Sequence, residues 1–484
     1  MGERRSAATS ARWLAGGLLG LWACVAYVLW PRVRVVERQS CVPVERVLWA
    51  PRVVTAASGL AAALLHVDVR GKLRAVEPAS RAQAEAYATE HALPFEPHDG
   101  LTISPGVVDV RVQLAPLGRS WEGYAHGTRA AVAGGVTTVV DGPFGSVPPA
   151  TSKHALQLHM RAAATDLLYA NVGFLAGLTP AAARNPLELF ALAAAGPLGF
   201  YAVLSPMHDE AGAQPLDAAA LRAAAEPIWR TGAPLLVRAE LAADEEVARV
   251  LGEALFALEA ERADPLTHLR TRRAEWQTAG LAVLADLVGD VPALRLHAAA
   301  VARADDATRE QLLRARDRGG ARFTADLRAA ELDLISSEHA PCGEELRAGG
   351  DFVSAWAGVS GLQFVLQAVW TEARQRGFSP EHVARWLSEA PAALLGLRGR
   401  KGALAPGADA DLVVWDPDVL IRPPHAEHHR LSGSPYANLS LHGRVDLTVV
   451  GGVNAFSRGL HTGRRCGGVL LARSARTASS AWQG

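Results

Sequence analysis

Residues 103–143 read ISPGVVDVRVQLAPLGRSWEGYAHGTRAAVAGGVTTVVDGP, and this stretch decides the fold class. Val107, Val108, Val110 and Val112 form a β-branched run behind the turn pair Pro105-Gly106, which is the pattern of a strand. Residues 121–133 are alanine-rich and can be helical, and Gly134-Gly135 stops that helix where a positive φ is needed. Residues 136–140 form a second buried strand, closed by Asp141-Gly142-Pro143. Strand, helix and strand make one βαβ unit, which implies a parallel sheet.

The same alternation runs on towards the C-terminus. Further strands are expected at 170–174, 200–204, 235–239, 294–299, 322–325 and 332–336, with helical stretches between most of them. With the first two they make eight, the number for a closed α/β barrel of the (β/α)8 TIM type. One connection breaks the pattern, because only residues 326–331 separate the last two strands. A parallel crossover needs about 10–12 residues. Either 322–325 is not a barrel strand, or the barrel is deformed near its seventh and eighth strands. Ahead of the barrel, 47–76 alternates in polarity around a Gly71-Lys72 turn and reads as a small β-meander. Residues 77–100 read as a helix and a connection. Behind the barrel, 412–418 and 445–459 return to strand and turn, and the tail from 471 reads as disordered.

Composition narrows the function classes. The 484 residues carry 49 Lys+Arg against 49 Asp+Glu, which gives no electrostatic case for nucleic acid. The length holds a barrel of about 250 residues and a second small domain. Cys24, Cys41, Cys342 and Cys466 are scattered and form no Cys-x-x-Cys pair. No disulfide framework is expected at this size, and the redox compartment is left open.

Residues 13–30, WLAGGLLGLWACVAYVLW, carry no charge. A membrane-spanning helix needs about 20 apolar residues, with a lower limit of about 17. Trp13, Tyr27 and Trp30 sit near the ends, as interfacial aromatics do. A single-pass membrane anchor is expected here, with a cleaved signal segment as the alternative. Arginines flank both sides (Arg4, Arg5 and Arg12 before, Arg32, Arg34 and Arg38 after), so the orientation is not fixed.

The motifs around the strands resemble those of the cyclic amidohydrolases, and of the allantoinase branch most closely. In that family the first barrel strand reads P-G-x-x-D-x-H-x-H, and here the positions read Pro105 to Gln113 with Arg111 and Gln113 in place of the two histidines. Trp121-Glu122-Gly123, Gly127-Thr128-Arg129, residues 134–138, Asp141, residues 356–366, Pro391-Ala392 and Ser434-Pro435-Tyr436 also fit the pattern. Asp264-Pro265 and Trp276 favour allantoinases over dihydroorotases, whereas Gly145 stands where the family has an asparagine. Residues 401–407 with Ala410-Asp411-Leu412 match the family's entry into a β-sandwich, which the resemblance builds from both chain ends. The expected layout is 1–40 with the anchor, 41–103 and 399–470 as the two parts of the sandwich, 104–398 as the barrel, and 471–484 as the tail. The longer segment that the family carries between its last strands is missing.

The resemblance implies a binuclear divalent metal centre, zinc or similar, that activates water for hydrolysis of a cyclic C–N bond in ureide and purine catabolism. Its ligand positions are substituted here. Tyr201 stands in the G-F-K motif of the bridging lysine, Arg238 in H-A-E, Ala300 at the second histidine of H-x-x-H after His297, and Glu338 at the aspartate of S-D-H-S-P-C. Arginine stays protonated in proteins, so Arg111 and Arg238 would put fixed positive charge where two dications belong. No metal or other cofactor is therefore expected. Arg111 and Arg238 would either pair with Glu338 and Glu240 or hold a small anionic or ureide ligand. His126, His154, His159, His297 and His339 read as surface or packing histidines, and His425, His428 and His429 as a solvated loop.

The expectation drawn from all this is a membrane-anchored, allantoinase-like protein whose catalytic centre has degenerated. Such a protein would act as a scaffold or binder, as a homo-oligomer or beside an active homologue. The alternative is an active allantoinase or other cyclic amide hydrolase with a rebuilt site.

Overall fold

A computed structural model describes residues 41–57, 59–114, 117–118, 122–204, 212–301, 305–320, 323–327, 333–356, 358–423, 428 and 434–472. Its two sheets follow the two kinds of strand pattern in the sequence.

The alternating segments near the N-terminus form β1 (Arg46–Thr55), β2 (Gly59–Val67) and β3 (Leu73–Pro78), an antiparallel meander. The turn into β3 is possible because Gly71 takes φ 73°, and the Asp68 carboxylate accepts from the backbone N–H groups of Arg70 and Lys72. β4 (Phe95–Pro97) and β5 (Thr102–Pro105) join β1 in parallel.

The apolar runs form the barrel sheet. β6 (Val107–Val112), β7 (Val136–Asp141), β8 (Asn171–Gly177), β9 (Gly199–Val203), β10 (Leu235–Arg238), β11 (Leu296–Val301) and β12 (Phe323–Leu327) lie side by side in chain order, all parallel. Val108, Val110, Leu175, Tyr201, Leu236 and Leu334 pack into one cluster along these strands. Helices such as Gly123–Ala133, Ala218–Thr231 and Ala274–Asp290 supply residues to a second, larger cluster. The architecture is the TIM-type barrel expected from the sequence.

The expected eighth strand is corrected. Among the described residues, 333–340 form no ladder and touch the sheet by a single bridge between His339 and Val112. The six-residue connection is too short for a crossover helix, so this segment cannot be laid down as a parallel neighbour of β12. Its backbone finds other partners: the Ile335 N–H donates to the Trp386 carbonyl, and the His339 carbonyl accepts from the Gln113 N–H at 2.7 Å. Leu334 still fills its share of the interior and is fully buried. The two alternatives left by the sequence thus resolve: β12 is a barrel strand, and the barrel is deformed beyond it.

After the barrel, β13 (Leu412–Ile421), β14 (Leu441–Val450), β15 (Val453–Ser457) and β16 (Leu460–His461) complete the first sheet. β13 pairs antiparallel with β5, setting Val414 opposite Ile103, so strands from both chain ends share one nine-stranded sheet. Leu48, Leu65, Ile103, Leu412, Val414 and Val449 close around a common cluster.

Two of the scattered cysteines, Cys41 and Cys466, form a disulfide that joins the segment before β1 to the segment after β16. Beyond Cys466 the chain runs along β8: the Val172 N–H donates to Gly468 O, and the Leu470 N–H donates back to Val172 O at 2.8 Å. The spanning helix expected at 13–30, and the single-pass membrane placement drawn from it, are also corrected. Among the described residues no helix is long and apolar enough to cross a membrane. The 17-residue helix Ala274–Asp290 carries Glu275, Asp286 and Asp290, and a span needs about 20 apolar residues. Residues 13–30 themselves, and 473–484 of the expected tail, lie outside the described residues.

Candidate active site

In a barrel of parallel strands, side chains at the carboxyl ends face the loops where substrates bind. Arg111 is the fifth residue of β6 and is almost fully buried among valines. A guanidinium in that position needs a partner, since an uncompensated buried charge costs several kcal/mol. It has two. Its Nη1 pairs with the Glu338 carboxylate, and its guanidinium carbon lies 4.9 Å from the centre of the Tyr201 ring. Tyr201 is itself fully buried on β9 and meets Phe144 edge-on.

Glu338 belongs to the segment that failed to become a strand. Its φ of 49° is left-handed, which a non-glycine residue adopts only when its surroundings hold it there. Those surroundings are visible. The Asp109 carboxylate accepts from the Ser337 N–H, and Ser336 Oγ donates to Glu338 Oε1 at 3.2 Å. Asp109 lies on β6 beside Arg111, so one strand positions both ends of the ion pair.

Arg238 ends β10. Its Nε lies 3.8 Å from Glu240 Oε2, and the same carboxylate accepts from Arg272 Nη1 at 3.0 Å. Gln113 lies just past β6 and is buried; among the described residues its side-chain Oε1 has no hydrogen-bond partner. Ala300 has φ 55° and offers no ligand atom. His297 is fully buried and hydrogen-bonds Thr324 through Nδ1 at 2.8 Å, and the Leu362 N–H approaches Nδ1 of the buried His339. His159 is held on the Pro148 carbonyl, and His126 and His154 are exposed. His428 contacts His461 at 3.1 Å away from this pocket, and His425 and His429 lie outside the described residues.

The neighbouring strand end is also hydrogen-bonded. Buried Asp141, at the end of β7, accepts from the Leu114 N–H at 3.0 Å and the Tyr124 hydroxyl at 2.9 Å. Burial raises its pKa, and burial beside Asp141 raises that of Tyr124 well above the ordinary phenol value.

A binuclear metal centre does not fit these residues. Among the described residues no three His, Cys, Asp or Glu side chains gather as a metal site. Arg111 occupies the carboxylate that would be a ligand, and Tyr201 has no amine to serve as the bridging lysine does. Two unit charges about 4 Å apart interact by about 4 kcal/mol at an effective dielectric near 20, and a dication doubles that repulsion.

Sequence reasoning found the strand positions but missed the third member of the Arg238–Glu240 group, Arg272. It lies in a polar run with Arg270 and Arg273, where nothing distinguishes it.

Known proteins place the chain. An allantoinase from Streptomyces avermitilis is 32% identical over 471 residues, covering 89% of this chain and 99% of that one. An allantoinase from Arabidopsis thaliana is 31% identical over 427 residues, covering 76% and 81%. The solved L-hydantoinase (dihydropyrimidinase) from Arthrobacter aurescens superposes with a TM-score of 0.76 at 20% identity, over 88% of this chain and 99% of that one. With the amidohydrolase family model matching residues 102–455 and allantoinases related along most of its length, the chain belongs to the amidohydrolase family.

Proposed function

We propose that this chain acts on a cyclic amide of the allantoin type, opening a ring C–N bond, with a site rebuilt around Arg111, Arg238 and Glu338 in place of two metal ions. The support is family membership across the whole barrel, with relatives named as allantoinases, joined to ion pairs that stand at the carboxyl ends of β6 and β10. In the reaction, water adds to a ring carbonyl carbon, the C–N bond breaks, the ring nitrogen takes the proton, and the product gains a carboxylate. A guanidinium matches both states, donating to the carbonyl oxygen and then to the carboxylate through two parallel N–H groups. In this reading the Glu338 carboxylate accepts a hydrogen bond from the attacking water once substrate draws Arg111 towards itself.

A second reading is favoured by one observation. The Arg111–Glu338 pair is closed on itself, as in a protein that binds a ureide without turning it over. Purified full-length chain incubated with allantoin, with and without a chelator, separates the two. Ring opening that survives chelation and is lost in Glu338→Gln supports the rebuilt enzyme. Saturable allantoin binding without turnover supports the binder. Turnover that requires added zinc contradicts the rebuilt site, and absence of both binding and turnover contradicts both readings.

A further inference from the structure

We infer that a cleft at the amino-terminal end of the barrel is an anion site for a phosphorylated small molecule. Arg295 immediately precedes β11, so it lies at the opposite end of the strands from Arg238 and Ala300. The cleft there has a volume of about 780 Å³ and is lined by Arg295, Arg316, Arg385 and Arg398, with Asp333 and Glu389 as its acidic members. That volume lies in the range of small-molecule sites, roughly 300–1,000 Å³.

The charge balance points to an anion. Four guanidinium groups stay protonated at any ordinary pH, against two carboxylates. Two of the arginines are already fixed. Arg295 donates to the carbonyls of Leu394 at 2.9 Å and of Gly232, and burial lowers its pKa. Arg316 is held by Asp333 at 2.8 Å. Arg385 and Arg398 are exposed and, among the described residues, have no carboxylate within ion-pair distance. Arg385 and Glu389 bound a π-helical turn between the helices Pro380–Ala384 and Ala390–Leu394, a local widening often found at functional sites.

Arginines on a flat surface are simply solvated. Here they converge on a concavity, where each raises the energy of the others until an anion compensates. Paired guanidinium forks match the oxygens of a phosphate group bidentately. The cleft is larger than a bare phosphate needs, so the phosphate is expected to come attached to a small molecule.

Calorimetric titration of the full chain with inorganic phosphate and with adenosine monophosphate, against a chloride control, tests the assignment. Saturable one-to-one binding is expected, tighter for the monophosphate, and weakened at least tenfold in the double variant Arg385→Gln/Arg398→Gln. Both substituted residues are exposed, so the fold is expected to hold, which circular dichroism checks. Arg230→Gln, whose native residue pairs with Glu226 on an exposed helix face, should bind as the parent does. Equal binding of the two probes would assign the site to free phosphate and still support the anion cleft. No saturable binding of either probe, or binding unchanged in the double variant, would overturn it.

Discussion

The Arg111 side chain leaves a strand of buried valines and ends between the Glu338 carboxylate and the Tyr201 ring, so its removal should be felt as an unpaired charge. Arg111→Met should destabilise the fold by about 1–3 kcal/mol in urea unfolding, because it strands a half-buried carboxylate. Adding Glu338→Gln should recover part of that loss, with a coupling of about 0.5–3 kcal/mol, and strictly additive losses would show that the pair is not real. A second test at this scale concerns His461. Burial first, then His428 and Arg129, lower its pKa to about 4 from an ordinary 6.5. The unfolded chain therefore takes up a proton at this position before the folded chain does. Its contribution is complete above pH 6.5 and is lost as pH falls towards 4. His461→Gln should flatten that part of the stability profile, and an unchanged slope between pH 6.5 and 4 would contradict the assignment. Arg111, Tyr201, Arg238 and Glu338 could be located in the sequence because short motifs of the resembled family frame each one. Their surroundings could not: that Arg272 joins Glu240, or that Asp109 orients Ser337, depends on distances across the barrel that no local pattern encodes.

At the scale of elements, β6, β7 and β9 could be read from β-branched and apolar runs because each is buried on both faces, which is what a parallel sheet under helices requires. The segment 332–336 misled for the same reason. Its apolar residues are needed to fill the barrel, as Leu334 does, but six connecting residues cannot carry it into register with β12. Packing and pairing come apart there, and composition reports only packing. The stop after the helix Gly123–Ala133 is different, since its glycine serves a close approach as well as a turn. A Cβ at Gly134 would overlap the Gln363 carbonyl, which sits in the middle of the 3-10 turn Leu362–Phe364 leading into the helix Val365–Gln375. Gly134→Ala should therefore cost about 1–3 kcal/mol by pushing two elements apart, measured as a lower urea midpoint with an unchanged slope. An unaltered midpoint would mean that the contact yields freely.

For the whole molecule, the Cys41–Cys466 disulfide joins chain ends 425 residues apart and ties the C-terminal run along β8 to the first sheet. A crosslink of this kind stabilises by about 2–4 kcal/mol, mostly by limiting the unfolded chain. Cys41→Ser/Cys466→Ser, or mild reduction of the parent, should lower Tm by a few degrees; an unchanged Tm would show that the noncovalent contacts of residues 467–472 suffice. The pairing escaped notice in the sequence because two cysteines so far apart form no spacing pattern, and only the fold brings them together. The family model spans most of the chain, while the strand ends where the resemblance would place metal ligands carry arginine, tyrosine and a paired glutamate. Elemental analysis of the full-length protein, produced with ample zinc and then dialysed, bears most directly on that contrast. The rebuilt pocket predicts that no pair of divalent ions is retained; two ions per chain, lost on Glu338→Gln, would contradict it.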